Sequence, residues 1–139
     1  MHQRQKMRDA VVALLTGKTK AWDRVFPSRQ VPWRAMELPG IAIYTFEESE
    51  ESRKRKVTLA VLLVASLTER VDAELDDLAL EVETVLASDL SLAGTALGSR
   101  YTGMAMEITE DQGVPIGAIR LNYEAWYLAV PDATLRSVG

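Results

Sequence analysis

The chain has no cysteine, and its single histidine is His2. Without thiols, disulfides, thiolate catalysis and cysteine-based zinc sites are excluded. One histidine beside the first methionine leaves no histidine triad and no multi-histidine metal centre. An all-carboxylate site stays open, but nothing in the pattern supports one. Long apolar runs are missing too. The longest, residues 59–65, falls far below the ~20 residues that span a bilayer. Arg4, Lys6 and Arg8 precede the apolar residues 10–15, a run shorter than the ~7–15 residues of a secretory h-region. It is read as a helix, and a cytoplasmic protein is expected. Basic residues number 16 against 20 acidic ones, for a formal charge of −4. That balance argues against a dedicated nucleic-acid binder, which neutralises phosphates with Lys and Arg.

What is present is an ordinary globular composition, 47% hydrophobic and 26% charged over 139 residues, which fits one domain over 1–139. Met7, Val11, Leu14 and Leu15 recur at helical spacing over residues 3–15, and Gly17 ends that pattern. Residues 16–40 carry Gly17, Pro27, Pro32, Pro39 and Gly40, so they read as a long irregular segment with a short strand near 24–26. Loops of that length are often functional. Residues 41–46 form a strand. In residues 57–66, Val57, Leu59, Val61 and Leu63 share one face and Ala60, Leu62 and Val64 the other, as in a central strand covered on both sides.

Asp72 is the expected N-cap of a second helix ending near Ala87, with Val71, Leu75, Leu78, Val82 and Val85 as its buried stripe. Residues 100–109 alternate, with Thr102, Met104, Met106 and Ile108 on one face, and residues 110–117 form a turn. Residues 118–130 alternate again, leaving Arg120, Asn122, Glu124 and Trp126 on an exposed or partner-facing side. Residues 131–139 read as a loose C-terminal tail. The expected fold is α+β: a mostly antiparallel sheet of four to five strands with two helices on one face, in the order helix, hairpin, helix, hairpin.

Chemistry-bearing motifs are weak. Thr16-Gly17-Lys18-Thr19 looks like the end of a P-loop, but the required earlier glycine is Val12, inside a helix. Asp72, Glu74, Asp76, Asp77, Glu81 and Glu83 make a solvated helix face rather than a cation site. Glu110-Asp111-Gln112-Gly113 is a turn. No hydroxyl has an activating histidine or nucleophile elbow. No catalytic, cofactor-binding or metal-binding residue is assigned, and the chain is not expected to be an enzyme.

One constellation stands out. Glu47, Glu48, Glu50 and Glu51 are followed by Arg53, Lys54, Arg55 and Lys56, between two β-rich runs. A hairpin here sets opposite charges across the ladder, each pair contributing about 0.2–1 kcal/mol. It reads as a projecting arm that grips a neighbour. Trp33 and Arg34 in the long irregular segment, and Trp126, have the chemistry of interface anchors. A core position for at least one of Trp22, Trp33 and Trp126 is the competing expectation. The two apolar faces of residues 57–64 are expected to need a second covering layer that self-association supplies.

Taken together, Leu38-Pro39-Gly40-Ile41-Ala42-Ile43-Tyr44-Thr45 with Glu47 and Glu48, the apolar residues 57–64, Asp72-Ala73-Glu74-Leu75-Asp76, and Ala118-Ile119-Arg120-Leu121-Asn122-Tyr123-Glu124-Ala125-Trp126-Tyr127 resemble the tail terminator proteins of long-tailed bacteriophages and prophages, the minor tail protein U type. The resemblance implies a structural subunit that forms a homohexameric ring on the end of the tail tube. That ring stops polymerisation of the tube protein and offers its other face to a head-completion or connector protein. It further implies genome DNA passing through the lumen without specific binding, no cofactor, no membrane partner, and residence in the host cytoplasm and then in the virion tail. Two other expectations stand beside it: a head–tail connector or tail-completion component, and a small dimeric α+β ligand-binding module.

Overall fold

Alternation of apolar residues at a period of two produces long strands, and their lengths decide the architecture. The computed structural model describes residues 1–111 and 113–129; the expected tail over 131–139 lies outside them. The elements run α1 (Gln3–Leu15), β1 (Val25–Pro27), a 3₁₀ turn (Ala35–Glu37), β2 (Gly40–Glu51), β3 (Lys54–Ser66), α2 (Val71–Ala87), β4 (Gly98–Asp111) and β5 (Val114–Leu128). One five-stranded sheet has the order β1-β2-β3-β5-β4. The protein is therefore α+β with a mixed sheet. Four strands pair antiparallel, but β1 runs parallel to β2, and its insertion after α1 interrupts the expected helix–hairpin alternation.

Local chemistry sets the joints. Gly17 sits at φ +76°, the left-handed position that stops α1, and the Thr16 N–H caps the Val12 carbonyl at 2.9 Å. Ser52 and Arg53 both have positive φ, 51° and 66°, the two-residue hairpin geometry whose twist matches its strands. α2 departs from expectation at its start. Its N-cap is Arg70, with no side-chain cap bond, while Asp72 and Glu74 fall within the first turn, where the helix dipole favours anions.

Both helices pack on one sheet face. Met7, Val11 and Leu15 of α1 and Leu75, Leu78, Val82 and Leu86 of α2 close over Ile41, Ile43, Leu59, Val61, Leu63, Ile119 and Leu121, all buried in one cluster. α1 lies over β1 and β2, and α2 over β3 and β5. A Cβ at Gly117 of β5 would sit 2.6 Å from Val71 Cγ2, so the missing side chain there lets α2 approach the sheet. Neither helix covers β4: Tyr101, Met104, Met106 and Ile108 remain 42–66% exposed.

The opposite face is covered at one end, though not by another subunit. Trp33, from the segment between β1 and β2, packs with Ala42, Val64, Ile116 and Ala118. The second layer expected from self-association is supplied there by the chain's own residues 28–39.

Candidate interaction surface

The charged hairpin forms with Glu50 opposite Arg55 and Glu51 opposite Lys54. Arg55 Nε donates to Glu50 at 2.7 Å. It is not a projecting arm, however. β5 runs far enough to pair with the return strand, setting Lys54 beside Leu128, Arg55 beside Tyr127 and Lys56 beside Trp126. Lys56 lies 3.9 Å from Glu124, and Lys54 sits 5.2 Å above the Trp126 ring. The basic limb is thus interior to the sheet, and even at the turn the Arg53 carbonyl accepts the Ala129 N–H at 2.6 Å.

The acidic limb is divided. Glu48 turns toward α1, where Arg4 donates to it at 2.9 Å and the Tyr127 hydroxyl donates a short bond. Burial pushes the Glu48 carboxyl upward, but those two donors outweigh it and hold it below its usual range. Glu47 is an extra residue in β2, at φ 52°, between the paired positions Phe46 and Glu48. On the far side of β2, β1 pairs only with Ile41, Ala42 and Ile43. Among the described residues, no strand flanks the outer edge of residues 44–51.

Trp33 is a core residue, 6% exposed, and not a surface anchor. Its ring meets Phe26 edge-on at 5.7 Å, and the Arg29 guanidinium lies 4.3 Å above it. The absence of a Cβ at Gly40 makes room for it: an added one would also be 2.7 Å from the Glu37 carbonyl. Arg29 organises this segment. It donates to the carbonyls of Val31 at 3.0 Å and Pro32 at 2.7 Å, and to both Glu37 carboxylate oxygens at 2.9 and 2.6 Å. That fork, with the Arg34 backbone N–H second, lowers the Glu37 carboxyl from 4.5 to about 2. Arg34 itself is exposed, its Nε 3.6 Å from Glu37. Trp126 is half-buried and lies across Gly98, where a Cβ would meet its ring at 2.8 Å.

The surface that residue patterning did not single out is the outer edge of β4. This strand spans 14 residues and, among the described residues, pairs only with β5. Tyr101, Met104, Met106 and Ile108 line its helix side, exposed. The signal was visible as two methionines and an isoleucine at a period of two; what the sequence could not supply was that α2 stops short of them. A long, apolar, unpaired edge is a ready template for another chain. By contrast, no three His, Asp or Glu among the described residues are placed to hold a metal ion. No helix among them is long and apolar enough to cross a membrane. No protein-family profile matches the chain, and no curated protein is significantly similar to it.

Proposed function

We propose that this protein is a ring-forming assembly subunit of the phage tail terminator type. The observation that carries the reading is the uncovered apolar stripe on β4, Tyr101, Met104, Met106 and Ile108, on a strand with an open edge. Such a stripe is costly to leave in water, at roughly 25 cal/mol per Å² of apolar surface, and a neighbouring copy would shield it. The residue patterns of β2, β3, α2 and β5 that resemble the terminator family support the same reading. In this role the ring would sit on the tail tube, end growth of the tube protein by replacing its binding surface, and present a second surface to a head-completion protein. DNA would pass through a lumen of net negative subunits that do not hold it tightly. Assembly would take place in the host cytoplasm, and the ring would remain in the virion.

Light scattering coupled to size exclusion, followed by electron microscopy with purified tail tubes, tests this. The expected result is a hexamer, or rings that form at tube tips and fix tube length. Tubes that lengthen unchanged in the presence of the protein would refute it.

A further inference from the structure

The two open edges of the sheet are matched to each other. β2 is antiparallel to β3, β3 to β5, and β5 to β4, so β4 and β2 run in opposite directions. A second copy placed beside the first in the same orientation therefore sets its β4 antiparallel to β2 of its neighbour. The register can be followed across the sheet. Arg100 lies opposite Glu124, Glu124 opposite Thr58, and Thr58 opposite Phe46. Tyr101 reaches Thr45 by way of Tyr123 and Leu59, Gly103 reaches Tyr44 by way of Asn122 and Ala60, and Gly98 reaches Ser49 by way of Trp126 and Lys56. Residues at one level share one face of the sheet.

Each edge also carries one extra residue in this stretch, Thr102 in β4 and Glu47 in β2. Residues 98–103 and residues 44–49 are therefore equal in length and start and finish level. Bulges usually spoil an edge for pairing; two that offset each other spoil it for strangers only. The side chains agree with the register. Arg100, 65% exposed and held by Glu124 of its own sheet at 2.8 Å, comes level with the exposed ring of Phe46 and next to Glu47, where its outer face suits a cation–π contact with a carboxylate beside it. Further along, Met104 comes level with Ile43 and Pro27, and Met106 with Ile41 and Val25; β1 already holds the outer edge of β2 there, so direct pairing ends at Gly103 and β4 must diverge from β2 beyond it.

We infer that β4 of one copy docks antiparallel on residues 44–49 of β2 in the next copy, Arg100 meeting Phe46 and Glu47, so that the sheets of successive subunits join edge to edge. This rests on the self-assembly reading above and specifies its interface: the acidic limb of the hairpin, not the basic one, receives the neighbour. The contact is head-to-tail, and it closes into a ring when the rotation between copies divides a full turn.

The native chain lacks cysteine, so engineered pairs report cleanly. The double variants R100C/F46C and Y101C/T45C are oxidised under conditions where light scattering finds the wild-type oligomer, with circular dichroism confirming their fold. The expected result is a ladder of disulfide-linked oligomers from each double variant and none from the single variants. No ladder from either pair, while the oligomer persists, overturns the edge assignment and leaves the ring reading standing. Linked dimers from R100C alone, formed as fast as from R100C/F46C, overturn it in favour of a two-fold β4–β4 contact. A wild-type protein that stays monomeric, alone and with tubes, overturns both.

Discussion

Replacing Arg29 by alanine is the sharpest test of how residues 28–39 are held. The substitution deletes the four donated bonds at 2.6–3.0 Å and the cation above Trp33 and Phe26, 4.3 and 4.8 Å from their ring centres. It leaves the Glu37 carboxylate, whose side chain is 15% exposed, with the Arg34 backbone N–H at 2.9 Å as its remaining hydrogen-bond donor in this segment. Removing one partner of this half-buried, charge-assisted pair costs about 1.5–3 kcal/mol, against a total of roughly 5–15 kcal/mol for a domain. At this chain length that is a fall in Tm of about 6–12 °C. Thermal unfolding by circular dichroism, at protein concentrations low enough to suppress association, gives the readout. R29K should recover little, because an ammonium cannot fork onto both carboxylate oxygens. R29A/E37A should recover part of the loss, because no charge is then left stranded. If R29A melts within about 3 °C of wild type, a change below ~1 kcal/mol, the clasp does not hold this segment.

Three further outcomes follow from the same geometry. Because Glu37 titrates near 2 when folded and near 4.5 when free, its contribution is complete above pH 4.5 and disappears as pH falls toward 2. Urea midpoints across that range should fall in wild type and fall less in E37Q. Glu48 and Asp89 are also depressed and add to the decline in the same direction. G117A should lose about 1–3 kcal/mol by overpacking, since its Cβ meets Val71 on a helix; equal urea midpoints would contradict the close approach. M104E/M106E should leave stability within about 0.5 kcal/mol while abolishing self-association by light scattering. Reversing Arg55 to Glu should instead lower the melting temperature, because Glu50 and Glu48 then face a third carboxylate; an unchanged melt would show that the charge ladder contributes nothing.

Elements with strong periodicity were legible in the sequence. α1 has its expected limits, α2 begins two residues early, and β3 shows the two apolar faces that its alternation implied. β1 was visible as a short strand, but its parallel pairing was not, because direction depends on where residues 28–39 travel rather than on local propensity. The same long-range path explains Trp33. Between prolines it looked like a surface anchor, and only the pocket left by Gly40 seats it in the core. The hairpin charges were legible and their surroundings were not: nothing within residues 47–56 reveals that β5 reaches Leu128 to pair with Lys54. Nor could alternation alone show that Met104 and Met106 lie outside the footprint of α2.

β3 lies inside the sheet over Lys54–Val64, 11 of its 13 residues, paired there with β2 on one side and β5 on the other. None of the amides in that doubly paired stretch lies on an edge from which to fray. Exchange with deuterium there must wait for the entire molecule to open, which makes β3 an internal gauge of global stability. Outward-facing amides of β4 should exchange orders of magnitude sooner when alone, and slow selectively when a companion strand arrives. A single exchange experiment could thereby separate how firmly each subunit is folded from how firmly it is held by others.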